Sequence, residues 1–465
     1  MNFLQILRNG FNTIYAFFRK SLSGDQQDFT KGSIPRAVFL LAIPMILEMC
    51  MESVFAVVDI FFVGRIGKEA VATVGLTESV LALVYSVAVG LSMAATAIVS
   101  RRVGEKDREG AARSAVQSIL IALCFTVLVS VSGYLLAPRI LQSMGAPNQV
   151  VQIGSSYTRI MFGGAIVIML LYLINGIFRG AGNATIAMWS LWIANGCNII
   201  LCPVLIHRYG LPGAAMATTI GRGIGVMYQL FHLVKGNGVI RIVMVHFIPD
   251  WKLIKNIFAI ASTGTFQFLI GSASWIVMAR IVANFGSEVI AGYQVAIRVM
   301  IFFLLPAWGM SNAAATLVGQ NLGAGQPMRA QQSVWKVAKY NVVFMALVSL
   351  LFLVASGPIV RFMNHDPGVD RVAVQALQII STGYIFFGVG MVVTNAFNGA
   401  GDTRTPVYIN LVCFWIFQIP FAYFLAITLA VGPKAVFFAI VITESLVTIL
   451  SVYIFRKGRW KTIKV

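Results

Sequence analysis

The stretch LLAIPMILEMCMESVFAVVDIFFVG, residues 40–64, decides how the rest of the chain is read. It exceeds the ~20 apolar residues that carry a helix across a bilayer at ~1.5 Å rise per residue. It also holds three carboxylates, Glu48, Glu52 and Asp59. At ~100° per residue, their spacings put all three within about 40° of one another on one helical face. Each acid at bilayer depth costs ~2.5–3.5 kcal/mol on an insertion scale. Such a face cannot meet lipid. It must turn into a protein interior or a wet cavity, which the remaining chain has to supply.

The composition, 58% hydrophobic and 11% charged, does not describe a soluble globule. Repeated apolar runs separated by short polar breaks make this an all-α, polytopic membrane protein. The net charge of +19 sits in the loops between spans. It therefore reads as topology by the positive-inside rule and not as nucleic-acid binding. Cys50, Cys124, Cys197, Cys202 and Cys413 lie inside apolar runs without metal-ligand spacing and read as buried thiols. No cleavable signal pattern is present. Residues 1–20 align Phe3, Leu7, Phe11, Ile14 and Phe18, which predicts an interfacial amphipathic helix within a cytoplasmic segment, 1–35.

Twelve spans are predicted, at 36–63, 70–100, 112–137, 151–178, 183–206, 212–234, 252–283, 288–319, 333–357, 370–396, 405–430 and 433–455. Pro44, Pro203, Pro306 and Pro420 fall within spans and predict kinks. An even count leaves both termini on one side. Arg101, Arg102, Lys106, Arg108, Arg113, Arg179, Lys235, Arg241, Lys252, Lys255, Arg329, Lys336 and Lys339 share that side, which is cytoplasmic by charge. The four histidines, His207, His232, His246 and His365, show no metal spacing.

The halves repeat at an offset of 219 residues. IGKEAVA at 66–72 answers FGSEVIA at 285–291, and GLSMAATAIVSRRVG at 90–104 answers GMSNAAATLVGQNLG at 309–323. FRGAGNAT at 178–185 answers FNGAGDTR at 397–404. Six spans per repeat give both halves the same orientation, related by a pseudo-two-fold axis along the membrane normal. The division is an N-lobe (36–234), a cytoplasmic linker (235–251), a C-lobe (252–455) and a basic tail (456–465). Two like-oriented bundles leave a crevice that rocking opens to each side in turn. No GxxxxGK[ST] loop or soluble ATP-binding domain occurs, which excludes ATP coupling.

With these pieces in order, the chain resembles the multidrug and toxic compound extrusion transporters of bacterial type over roughly 36–455. The resemblance rests on LAIPMILEMCMESVFAVVDIFFVGRIG, IVSRRVGEKDREGAARSA, NGIFRGAGNATIAM, NIILCPVLI, LVGQNLGAG and FNGAGDTRTP. It implies two six-helix lobes, export of cationic amphipathic molecules in exchange for protons or sodium, and Asp59 as the ion-coupling acid. It also matches Asn198 to the Asn of the family's N-x-x-x-D pattern. Cys202 stands where many members carry the Asp, and the region of Gln267 lacks the acid some members carry in the seventh helix.

Asp59 has no basic residue at i±3 or i±4, and its repeat counterpart is Met278. The acid thus belongs to one lobe and is not an architectural need of the repeat. Glu52 and Asn198 are expected to complete the ion site. Glu48, Asn175, Gln267, Gln294, Asn312 and Asn395 are expected to line the substrate cavity. Glu78 and Arg298, near-equivalent in the repeat, form a candidate inter-lobe pair. Arg222 and Arg280 read as interfacial or snorkelling. The function predicted is secondary antiport of organic cations across the inner (plasma) membrane by a monomer among lipids. No cofactor beyond the coupling ion is expected, and a proton is preferred because one acid suffices for it, whereas a metal cation wants several oxygens. A lipid-linked-oligosaccharide flippase would line its cavity with cations, and an intramembrane enzyme would need a nucleophile or His/Asp cluster. A channel is disfavoured by the repeat.

Overall fold

The computed structural model describes residues 18–24, 28–236, 240–363, 366–463 and 465. The predicted amphipathic helix falls mostly on residues 1–17, and one histidine is His365; both lie outside the described residues. The first half contains α1 (Ile34–Gly64), α2 (Lys68–Gly104), α3 (Arg108–Ser143), α4 (Asn148–Gly180), α5 (Ala184–Tyr209) and α6 (Leu211–Lys235). The second contains α7 (Trp251–Ala283), α8 (Ser287–Gly323), α9 (Pro327–Met363), α10 (Pro367–Ser381 plus Tyr384–Ala400), α11 (Arg404–Thr428) and α12 (Pro433–Arg456).

Ten helices contain their predicted spans entirely; the span 183–206 begins one residue before α5, and the span 405–430 runs two residues past α11. Among the described residues ten helices are long and apolar enough to cross a membrane, and the two parts of α10 make an eleventh. The twelfth, α6, is long enough but less apolar, because it carries Arg222 and Gln229 on a face buried by its neighbours. The segment from Ile240 to Asp250 docks on α3, where Gln117 donates to the carbonyls of His246 (2.8 Å) and Ile248 (3.0 Å).

One span is broken without a proline at the break. The two parts of α10 meet at 60° beside Gly383, and α4 breaks at Gly164, its repeat equivalent. Pro420 instead interrupts α11 between two π-helical stretches, Leu411–Gln418 and Phe424–Thr428. The repeat also holds at the turns. Gly67 and Gly286 both have positive φ, as do Gly182 and Gly401.

Lys106 breaks this pattern. Its φ is 63°, and its equivalent is Gly325 at 70°. A side chain in the left-handed region costs about 1–2 kcal/mol, partly offset by the entropy glycine loses on folding. Lys106→Gly is therefore expected to stabilise the protein by about 0.5–1 kcal/mol. The check is the thermal unfolding midpoint of purified protein, and an unchanged or lowered midpoint would remove the strain argument.

Packing crosses the boundary between the halves. The first part of α1, Ala37 to Met45, is buried in a cluster with α8, α9, α10 and α12. At the start of α7, Ile257, Ile260 and Ala261 are buried in the first half's core. Glycines permit both crossings. A methyl on Gly309 of α8 would collide with the Met45 backbone, and one on Gly90 of α2 with the Ala261 carbonyl.

One membrane face of the crevice is shut. In α2, Leu91 to Ser100 are buried apart from Met93, and in α8, Ser311 to Leu322 apart from Asn312. Gly104 lies against the Gln320 carbonyl and Gly323 against that of Arg101, a pair of equivalent contacts in which any side chain would overlap backbone. Thr316 donates to the Arg179 carbonyl and Gln320 to that of Gly180, both at 3.0 Å. The tail reaches the same face, where Arg101 donates to the Ile463 carbonyl and Trp460 stacks on Phe455. Toward the other face, Val71, Glu78 and Ala82 of α2 and Gln294, Arg298 and Ile301 of α8 are exposed. Ala82 and Ile301 continue directly into the interior chambers.

Candidate functional site

Two chambers of about 480 and 470 Å³ lie inside the crevice. They share a wall that includes Met93, Phe268, Trp308 and Asn395. The first chamber belongs chiefly to α1, α2 and α4, and is lined by Glu48, Glu52, Asn175, Asn312 and Asn395 among others. The second belongs to α7, α8, α10 and α12, and takes in Gln267 and Asn395. Gln294 lines neither chamber; it is exposed in the outer part of α8.

The acidic face of α1 turns inward as a whole. Glu48 is 1% and Asp59 8% exposed. Glu48 accepts from Asn175 at 3.0 Å and pairs with Arg179 at 3.4 Å. Arg179 also donates to Ser92 at 3.0 Å, so this arginine at the end of α4 points into the cavity and does not project into a loop. Asn175 in turn accepts from Ser190 and Gln229, which completes a buried polar network behind Glu48. Glu52 accepts from Tyr172 at 3.0 Å and pairs with Arg222 at 3.7 Å.

Arg222 corrects the interfacial reading of the sequence. It is 4% exposed, donates to Tyr85 at 2.9 Å and lies over the rings of Phe55 and Tyr85. Gly221 and Gly225 bring α6 against the α5 backbone at Ala194 and Ser190, which aims the guanidinium at α1 and α2. Asp59 thus has a cation in its surroundings after all, contributed by another helix. Its other electrostatic neighbours are Glu78, Tyr157 and Cys202.

Asp59 lines neither chamber. Its Oδ1 is buried with no hydrogen-bond partner among the described residues, and the same holds for Glu48 Oε2, Glu52 Oε2 and Asn198 Oδ1. Asn198 is buried and donates to Thr218 at 3.0 Å. Glu78 and Arg298 are both exposed, and no ion pair joins them in this state. The thiol reading also needs correction. Cys202 and Cys413 are buried, but Cys50 and Cys197 are half-buried and Cys124 is exposed on the outer face of α3.

Sequence reasoning missed Arg179, Gln229 and Glu444. Arg179 was counted as a topological charge and Gln229 was lost in a span of small residues. Glu444, in α12, is the only charged side chain on the second chamber and makes no ion pair or hydrogen bond among the described residues. Its signal was available: an acid in the middle of an apolar span.

Two like-oriented helical bundles, with a charged crevice closed at one face and open toward the other, define a membrane carrier. The family model MatE matches the chain twice, at 44–204 and 265–424, once in each half. The chain belongs to the MatE family and is a multi-pass membrane transporter, not an enzyme. It is 23% identical to the probable multidrug resistance protein YpnP of Bacillus subtilis, across 94% of this chain and 98% of that one. It is also 23% identical to the probable multidrug resistance protein NorM of Thermotoga maritima, across 96% and 97%. A solved structure of a MATE protein in complex with MaL6 superposes with a TM-score of 0.88 at 24% identity, across 93% of this chain and 98% of that one.

Proposed function

We propose that this chain is a secondary antiporter that exports cationic, amphipathic small molecules in exchange for protons, by alternating access, across the inner (plasma) membrane. The relatives' names, multidrug resistance proteins, support the substrate class. The lysine and arginine asymmetry supports cytoplasmic termini, so the state described opens outward. The observation that carries the coupling is Asp59, a buried carboxylate with an unpartnered oxygen, present in one half and replaced by Met278 in the other.

A proton taken from outside neutralises Asp59 and leaves Arg222 to its bonds with Glu52 and Tyr85. Loss of that proton inside restores the charge. The step between states is biased only as far as the two differ in affinity for proton and substrate. A proton is preferred over sodium because one acid, Asp59, suffices for a proton, whereas a metal cation wants several oxygen ligands, which Glu52, Asn198 and carbonyls would have to supply. A flippase reading gains nothing from Arg179, whose charge is already met by Glu48. Pairing of Glu78 with Arg298 is assigned to the inward-open state.

The test is uptake of a fluorescent organic cation into proteoliposomes under an imposed proton or sodium gradient. Accumulation driven by the proton gradient alone is expected. Equal transport with no gradient would leave a facilitator or channel.

A further inference from the structure

The two halves carry opposite charges at equivalent places. The offset of 219 pairs Glu52 with Gly271, and Glu48 with Gln267. Three added residues in the second half raise the offset to 222 by the last helix. There Gly210 answers Gly432, and Gly236 answers Gly458, all with positive φ. On that register the partner of Arg222 is Glu444.

In the first half this site is a closed ion pair, Glu52 with Arg222 at 3.7 Å. In the second half the arginine has become a carboxylate and the glutamate a glycine. Space is left where the side chain was lost: a Cβ on Gly271 would meet nothing within 4 Å, and both Gly271 and Glu444 line the 470 Å³ chamber. The rest of the wall is uncharged and mostly apolar, with Trp275, Trp308, Phe387 and Phe414 beside the polar Gln267, Asn395 and Asn410. The acids of the first chamber are already met by Arg179 and Arg222. Glu444 alone faces a chamber without a countercharge.

We infer that the second chamber is the binding site for a lipophilic organic cation, with Glu444 as its counter-ion and the gap at Gly271 as the space the cation fills. An isolated intramembrane carboxylate is costly unless a partner arrives. Aromatic faces attract a desolvated cation and tolerate many shapes, which suits a broad substrate range. Recognition and coupling then sit in different lobes: the cation at Glu444, the proton at Asp59. The inference deepens the efflux reading and rests on it.

The test is equilibrium binding to the purified full-length protein in detergent. The probes are tetraphenylphosphonium and the neutral triphenylphosphine oxide, which is of comparable size. Glu444→Gln is expected to weaken the cation about tenfold or more while leaving the neutral probe unchanged. The unchanged neutral probe also shows that the variant is folded. Glu444→Asp should recover part of the loss. Gly271→Leu fills the gap without touching the charge and should weaken both probes. Wild-type affinity for tetraphenylphosphonium in Glu444→Gln, or for both probes in Gly271→Leu, overturns the assignment while leaving efflux intact. If the wild-type protein binds no cation at all, the efflux reading fails as well.

Discussion

Asp59→Asn is expected to insert and fold normally yet lose gradient-driven efflux, down to the leak rate of protein-free vesicles. Asparagine keeps the shape and can still hydrogen-bond, but it cannot cycle a charge. Its surroundings make the loss specific. Arg222 already pairs with Glu52 and donates to Tyr85, so neutralising Asp59 does not strand the guanidinium. A buried charge left without a partner would cost several kcal/mol, and that is not the situation here. The variant's unfolding midpoint should therefore stay close to wild type while transport disappears. Binding of an organic cation in detergent should survive, since Glu444 lines the second chamber and Asp59 lines neither. Efflux at the wild-type rate and with the wild-type pH dependence would move the coupling elsewhere, and Glu52 would be examined next.

The second large effect concerns the closed face. Gly104 against the Gln320 carbonyl and Gly323 against the Arg101 carbonyl are contacts of backbone with backbone, so no flexible side chain can give way. Overpacking of this kind costs about 1–3 kcal/mol per site, a factor of roughly 5–150 against the closed arrangement. Gly104→Ala combined with Gly323→Ala should therefore shift the population toward the state open on the side of the termini. The shift can be read with Asn312→Cys in a background without native cysteines, because Asn312 lies at the cavity floor. An impermeant thiol reagent applied from the side of the termini should label the glycine variant and not its parent. Equal protection in both would show that the two glycines do not hold the gate. Transport should fall as well, because a carrier held in one state does not cycle.

The legible part of this protein follows from residue-by-residue transfer energies. A span declares itself because about 20 apolar side chains add up regardless of what they touch. Each predicted span falls on its own helix for that reason. The direction of Glu48, Glu52 and Asp59 was equally readable, since an acid on a membrane helix has only an interior to turn to. The breaks at Gly164 and Gly383 were not readable. Glycine permits a break without demanding one, and packing decides which of 42 glycines is used.

Charge pairing belongs to the tertiary structure. Whether Arg179 is a loop charge or the partner of Glu48 depends on how far α4 is rotated about its axis, and hydropathy is blind to that rotation. Arg222 meets Glu52 only because Gly221 and Gly225 let α6 approach α5 closely. Glu444 was visible in the sequence as an acid, but its lack of a partner is a property of every helix around it. The sequence alone determined twelve spans, the repeat and the inward acidic face, because each is a sum over single residues or over short periodic spacings. Only the tertiary structure decided which buried charges are neutralised and which face of the crevice is shut, because both depend on the rotation and close approach of helices far apart in the chain.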